Sequence, residues 1–345
     1  EAGQVSSIGS FVRNFESELA ARCEVDSCVA TVNGTTALHI ALVLAGVRPG
    51  DEVVMSPLSF VAPANAVAYC GAEPVFLDIE NESLGISPNA LQSWLRTNCV
   101  SRANELVNRQ TGNPVRAVLA VHVFGHPCRI DALVDIASEF GLPVIEDAAE
   151  ALGSRLADQA AGSFGTIGTL SFNGNKIVTT GGGGALLSDD TEIMERARHL
   201  TTTAKVSHPW RYFHDSIGYN YRMPNVNAAL GLAQLERLDG FIARKRELFA
   251  RYVEAFSGIQ NVSILQEPPN SRSNYWLQNL ILSPGLASQR DSILGSLLAA
   301  GYGARPVWEP LHELPAFRKS CRDGLENVTR LADYIISLPS GAALT

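Results

Sequence analysis

Residues 171–190 read SFNGNKIVTTGGGGALLSDD. Two short apolar runs, TIGTLSFN from 166 and GALLSDD from 184, flank a connection that holds one lysine and four consecutive glycines, Gly181 to Gly184. Glycine runs of this kind let backbone take positive φ or pass close to another group. The pattern is neither GxGxxG nor GxxxxGK(S/T), so it spells no dinucleotide site and no P-loop. One reading is a surface hairpin that turns at Asn173-Gly174 and leaves Lys176 in water. Another is a lysine held in an apolar, hydroxyl-rich setting where its amine can react. Few other amines exist: of 27 Lys plus Arg residues four are lysines, Lys176, Lys205, Lys245 and Lys319. Lys245 falls in the charged stretch ARKRE, Lys319 in FRKSCRD and Lys205 in a polar loop, and all three read as solvated.

Upstream of this segment, helical and strand-like patterns alternate. Residues 35–46 form an amphipathic run opened by Asn33-Gly34 and closed by Gly46; 52–55 (EVVM) and 74–77 (PVFL) read as short buried strands, with a helix ending at Gly71 between them. A strand-like AVLAVHVFG (117–125), a helix DALVDIASEFG (131–141) and a strand within LPVIEDAAE (142–150) follow. Short β-branched strands separated by helices predict a mostly parallel sheet covered on both faces, with ligands at the carboxyl ends of its strands. Downstream, 189–200 reads as a helix and 225–257 as a nearly unbroken one. Beyond it come a strand-like WLQNLILS, a helix at 287–301 and a closing helix near 325–337. This divides the chain into a large α/β domain, 1–236, and a smaller α+β domain, 237–345, joined through the long helix.

Two further segments carry chemistry. VNGTTALHIAL, 32–42, places small and hydroxyl residues at a helix start, where free N–H groups and the helix dipole favour an anion. A plain N-cap by Asn33 or Thr35 accounts for the same residues. VIEDAAEALG, 144–153, places Asp147 at the carboxyl end of a buried strand. A carboxylate there needs a cation or strong donor, such as a protonated ring nitrogen; an acid at a helix N-terminus is the alternative. His122 and His126 follow a strand and precede Pro127, so their i, i+4 spacing gives no shared helix face for a metal. His39 reads as a core residue. A reactive lysine, a buried carboxylate and an anion-ready helix start together fit pyridoxal phosphate.

Composition excludes several classes. The 345 residues carry a formal charge of -8 and are 46% hydrophobic, so there is no electrostatic footprint for nucleic acid or an anionic membrane. Six cysteines at irregular spacing read as reduced thiols. No apolar run reaches the ~18 residues of a membrane span. These features predict a soluble cytoplasmic protein, and because the numbering opens at Glu1 without a methionine, further residues are expected upstream.

The motifs NGTTALHIAL, GDEVVMSPLSFVAPANAV, PVIEDAAEALGS, SFNGNK with its glycines, and GYNYRMPNVNAALGLAQLE resemble those of the DegT/DnrJ/EryC1/StrS sugar aminotransferases. The likeness runs from SFVRNFESELA to the closing ISLP. It implies the aspartate-aminotransferase fold (fold type I) and pyridoxal 5'-phosphate as cofactor. By the same resemblance Lys176 is the Schiff-base lysine and Asp147 the acid on the pyridine nitrogen. Phe60 stacks on the ring, and Gly34, Thr35, Thr36 and Ser171 hold the phosphate. Asn220 reaches the phosphate of a neighbouring subunit, which implies a homodimer with shared sites. Glu150 stands where many members carry glutamine beside the ring hydroxyl. Dehydratase members replace the lysine by histidine, so Lys176 implies transamination. No metal is implied.

SFNGNKIVTTGGGG, HVFGHP and ARPVWEPLH resemble more closely the branch that aminates C4 of nucleotide-linked 4-keto-6-deoxy-N-acetylhexosamines, with L-glutamate as donor in most relatives and surface-polysaccharide sugars as products. That likeness places Trp308 and His312 near the sugar nucleotide. A perosamine-type or 3-keto sugar as substrate, or a non-catalytic relative with a regulatory role, are the alternatives.

Overall fold

The structure is a computed structural model and describes residues 3–103 and 105–344. Its centre is an eight-stranded sheet. The strands are β1 (Ser27–Thr31), β2 (Glu52–Met55), β3 (Glu73–Leu77), β4 (Val115–Val121), β5 (Val144–Asp147), β6 (Ile167–Ser171), β7 (Gly184–Ser188) and a late two-residue strand, Arg322–Asp323. Their order is β1-β7-β6-β5-β4-β2-β3, with Arg322–Asp323 outside β3. Only β7 runs against the rest: it pairs antiparallel with β1 and β6, while β6, β5, β4, β2 and β3 pair in parallel. The mostly parallel α/β sheet expected from the alternating pattern is therefore present, and the carboxyl ends of β1, β2, β4, β5 and β6 share one edge.

Helices cover both faces. Val53, Met55, Leu119, Ile145 and Leu186 point to one core, which they share with helices α2 (Gly34–Leu44), α3 (Ala62–Tyr69) and α6 (Thr191–Thr201). Val54, Val118, Ala120 and Val144 point to the other, against α4 (Pro88–Asn98) and α5 (Ile130–Glu139). Under β1, β6 and β7 a third cluster seats Phe15 and Leu19 of α1 (Ser10–Cys23) against Leu170, Phe172 and Leu187. The period of two along β5 has a consequence for the site: Asp147 shares the face of Ile145, and Glu146 the face of Val144.

The C-terminal part differs from the sequence reading in three places. The run 225–257 is two helices, α7 (Asn225–Leu235) and α8 (Leu238–Phe256), with Arg237 at φ -106, ψ -1 between them. α7 packs on α1, where a Cβ at Gly231 would lie 2.5 Å from the Phe15 ring, while α8 buries Leu238, Ile242 and Leu248. Two apolar stripes of similar period thus serve two different neighbours. The closing helix near 325–337 is α10 (Glu326–Ala332), following α9 (Arg290–Ala299), and residues 335–338 form a strand instead. That strand, β11 (Ile335–Leu338), lies inside a second sheet with β8 (Val262–Ile264), β9 (Gln278–Leu282) and β10 (Arg305–Pro306), in the order β8-β9-β11-β10. Ile335, Ile336 and Leu338 are buried there, a setting that suits β-branched side chains better than a helix end. Third, Lys245 is buried rather than solvated, for reasons given below.

Among the described residues no helix is long and apolar enough to cross a membrane, and all six cysteines are unpaired. His39 is buried beside Tyr219, Tyr221 and Tyr69, with ring centroids 5.1, 6.0 and 6.1 Å away.

Candidate functional site

A cavity of about 380 Å³ opens at the carboxyl edge of the sheet, lined by the ends of β4, β5 and β6, the start of α2 and the glycine-rich connection. Gly34, Thr35, Phe60, Asp147, Glu150, Ser171, Lys176 and Trp308, all singled out from the sequence, line this one space. Three others do not. Thr36 spends its N–H on Asn33 Oδ1 (2.8 Å) and its hydroxyl on Asn33 O (2.8 Å), closing the helix cap. Asn220 is exposed and bridges to Thr202 away from the cavity. His312 is buried, contacts Glu313 Oε1 at 3.1 Å, and lines a separate cavity with Arg318 and Arg322.

Glycines bring the cavity walls together. Residues 172–183 link the antiparallel pair β6 and β7, as a hairpin would, but Gly181 (φ +79) turns the chain back toward α2. A Cβ at Gly184 would lie 2.4 Å from Asn33 O, so only glycine lets β7 run against the cap of α2. The N–H groups of Gly34 and Thr35 belong to the first turn of α2 and have no acceptor inside the helix. They face the cavity beside Ser171. Asn33 is the N-cap, and the N–H groups of Gly34 and Thr35 are left over at the cavity edge, where an anion would meet free donors.

Lys176 is not in water. Its side chain is 12% exposed, its Nζ lies 3.3 Å from Glu150 Oε1, and it sits 4.1 Å from the centroid of the Trp276 ring. Asp147, at the end of β5, is buried, and among the described residues its one hydrogen-bond donor is the Ala149 N–H, at 3.1 Å. Burial pushes its carboxyl above the ordinary aspartate range, against the pull of that N–H, Lys176 and His122. Burial likewise raises Glu150, against Lys176 and the Phe124 N–H that donates to its Oε2 at 2.8 Å.

The adjacent Glu146 is a different kind of acid. It is fully buried on the opposite face and accepts from His122 Nε2 (2.9 Å) and from the N–H groups of Gly162 (2.8 Å), Phe164 (2.7 Å) and Gly165 (2.6 Å). The Cys128 N–H donates to His122 Nδ1 at 3.1 Å, so the ring's proton lies on Nε2, facing Glu146. Glu146 is satisfied by the protein; Asp147 is left open toward the cavity.

The donor set fits pyridoxal phosphate. An anion-ready helix start with Ser171 suits a phosphate, an under-satisfied buried carboxylate suits a protonated ring nitrogen, and one buried amine stands between them. Sequence reasoning missed Trp276, Ser59 and Asn175, which also line the cavity. Trp276 sits at the head of a strand-like run that gave no sign of which wall it would reach.

A model of the DegT/DnrJ/EryC1/StrS aminotransferase family matches residues 1–345. The GDP-perosamine synthase of Caulobacter vibrioides is 35% identical over 342 residues, covering 99% of this chain and 88% of that one. The dTDP-4-dehydro-2,3,6-trideoxy-D-glucose 4-aminotransferase of Saccharopolyspora spinosa is 33% identical over 332 residues, 91% of this chain and 80% of that one. In the solved structures, the aminotransferase TlmJ from Streptoalloteichus hindustanus superposes with a TM-score of 0.89 at 30% identity, covering 100% of this chain and 89% of its own.

Proposed function

The chain belongs to the DegT/DnrJ/EryC1/StrS aminotransferase family and is a pyridoxal phosphate-dependent aminotransferase, and on that premise we propose that it moves an amino group from L-glutamate to C4 of a nucleotide-linked 4-keto-6-deoxyhexosamine. The observation that carries the reading is the convergence of Lys176, Asp147 and the start of α2 on one cavity. The position C4 draws support from the Saccharopolyspora relative, whose name sets its amine at C4 of a 4-dehydro sugar. Surface-polysaccharide sugar synthesis is the corresponding setting.

Pyridoxal phosphate, when bound, supplies an electron-withdrawing ring that makes the donor's α-proton acidic. Lys176 Nζ would hold the cofactor and, as a free amine, would take that proton from the donor's α-carbon and deliver it to the cofactor's aldehyde-derived carbon. Glu150 Oε1, 3.3 Å from Nζ, keeps the amine on the cavity side. Asp147 holds a proton on the ring nitrogen; its burial removes competing water. Gly34, Thr35 and Ser171 bind the phosphate, and Phe60 covers a ring face. Trp308, stacked on Phe124 with centroids 5.2 Å apart, forms the wall against which the sugar is oriented.

The assembly is proposed to be a homodimer. Trp210, Tyr212, Phe213 and Ile217 stand 79%, 85%, 48% and 85% exposed on the segment leading to Asn220, more apolar surface than a lone loop keeps in water. In a dimer this segment carries Asn220 to the partner's phosphate.

The test is spectral and then chemical. The purified protein loaded with pyridoxal phosphate is expected to be yellow, and Lys176→Ala is expected to lose the band. With glutamate as donor, a panel of UDP-, GDP- and dTDP-linked 4-keto and 3-keto sugars is expected to give amination at C4. A protein that takes up no cofactor overturns the site, and turnover restricted to 3-keto sugars overturns the substrate.

A further inference from the structure

Lys245 lies in the middle of α8, within ARKRE, yet it is 7% exposed. Among the described residues its ammonium meets no carboxylate. It donates to two main-chain carbonyls, Trp276 O at 2.9 Å and Ser340 O at 2.7 Å. Burial pushes the amine down to about 8. A lysine buried without an acid costs stability, and a helix surface offered this one an easy way out to water. Its position calls for a function in what it holds.

Trp276 is tied at three points. Its N–H donates to Asn274 Oδ1 at 2.8 Å, its carbonyl accepts from Lys245, and its indole Nε1–H donates to Asn175 O at 2.8 Å. Asn274 in turn is fixed to the carbonyls of Glu150 and Leu152, each at 2.9 Å. The indole is thereby bonded to the residue immediately before Lys176, and its ring face lies under Lys176 Nζ at 4.1 Å. A second cavity, of about 300 Å³, lies behind this arrangement and is lined by Lys176, Trp276, Lys245 and Gly341 among others.

We propose that Trp276 is a positioning residue for the reactive amine, and that Lys245 holds it in place by fixing the Trp276 carbonyl to the C-terminal turn at Ser340. The ring does two things for Lys176. It forms a wall of the rear cavity, which Lys176 also lines, and so limits how far Nζ can swing back. It also gives the ammonium an aromatic face opposite Glu150, so the amine is held between two partners and returns to one position after each displacement. The charged groups acting with Nζ are Glu150 and Asp147 from the β5 end, while Lys245 of α8 lines the rear cavity with Lys176.

This inference rests on the reading of Lys176 as the cofactor-bearing amine, and the experiment keeps the two apart. W276F, W276L, K245M and K245R are prepared beside K176A, all as full-length protein. Three quantities are measured: the pH titration of the yellow band in the loaded protein, kcat and KM for the sugar, and the rate at which trinitrobenzenesulfonate modifies Lys176 in the apoprotein, read by peptide mass mapping. W276L is expected to lower kcat about tenfold with KM within about twofold, which corresponds to about 1.4 kcal/mol of transition-state stabilisation. It should also shift the band's pH midpoint downward and speed Lys176 modification several-fold. W276F, which keeps an aromatic face, should recover most of the kcat. K245M should reproduce the W276L changes in band midpoint and modification rate, and K245R should be closer to wild type. A W276L protein matching wild type in all three quantities overturns the proposal, as does a K245M protein that melts earlier but leaves the titration and modification rate unchanged. If K245M does not fold, the contrast of W276F with W276L decides by itself. A yellow band that survives in K176A overturns the underlying reading of Lys176 instead.

Discussion

Oε1 of Glu150 lies 3.3 Å from the Lys176 amine, while Oε2 of the same carboxylate accepts the Phe124 N–H at 2.8 Å. One buried acid therefore joins the Lys176 amine to the turn whose aromatic ring stacks on Trp308. Phe124 is held at φ 60, a conformation rare for a non-glycine residue, and its N–H bond to Glu150 helps keep it there. Glu150→Gln is isosteric and retains an acceptor for the Phe124 N–H but removes the anion beside Nζ. The expected result is a fold and melting temperature close to wild type with a changed pH profile of kcat/KM. A profile superimposable on wild type would show that the charge at this position is irrelevant to the amine.

Asp147→Asn is predicted to separate stability from activity. Burial raises the native carboxyl above its ordinary value of 3.8, so the folded state binds this proton more readily than the unfolded chain. The group's contribution to stability is then fully present below the unfolded value and is lost as pH rises through the raised native value. At neutral pH the ionised carboxylate destabilises the apoprotein. Apo Asp147→Asn should melt higher than apo wild type at pH 7, and the difference should vanish near pH 3. Its activity with cofactor should fall by about 10²-fold or more, the scale of a lost charge-stabilising group. An apo variant less stable at pH 7 would refute the sign.

Gly184→Ala tests the contact between β7 and the cap of α2. A Cβ there would meet Asn33 O at 2.4 Å, Asn33 C at 2.5 Å and Gly34 N at 2.7 Å, all main-chain atoms that cannot swing aside. The start of α2 must shift, and with it the N–H groups proposed to bind the phosphate. Equilibrium dialysis should show pyridoxal phosphate binding weakened by about tenfold or more, on the order of 1.4 kcal/mol. Gly174, on the same connection, has nothing within 4 Å of its would-be Cβ, so Gly174→Ala serves as the control and should bind like wild type.

Glu146→Ala removes the acceptor for His122 and three main-chain N–H groups at once. Because the side chain is fully buried, the loss should be about 3–5 kcal/mol in a urea titration. A loss below about 1 kcal/mol would mean that the loop at 162–165 finds other acceptors.

The sequence by itself determined the parallel sheet and the helices between its strands. Periodicity and propensity are local, so α2, β2 and α5 could be read within a residue or two. Lys176, Asp147 and the start of α2 were recognisable because each breaks a local rule: an amine among apolar residues, an acid ending a buried strand, hydroxyls where a helix begins. Tertiary structure alone decided what those features touch. It turned Glu146 and Asp147, neighbours in the chain, to opposite faces of one strand, which made one a structural anchor and left the other open to the cavity. It split the apolar run at 225–257 between two partners and converted the segment after Ala332 into a central strand, because burial between strands outweighs the helical pattern of an isolated segment. It also took Lys245 from a charged stretch into the interior and set Trp276, 100 residues from Lys176, beneath its amine. A local pattern shows which way a side chain faces on its own element; what stands opposite it depends on how distant elements pack.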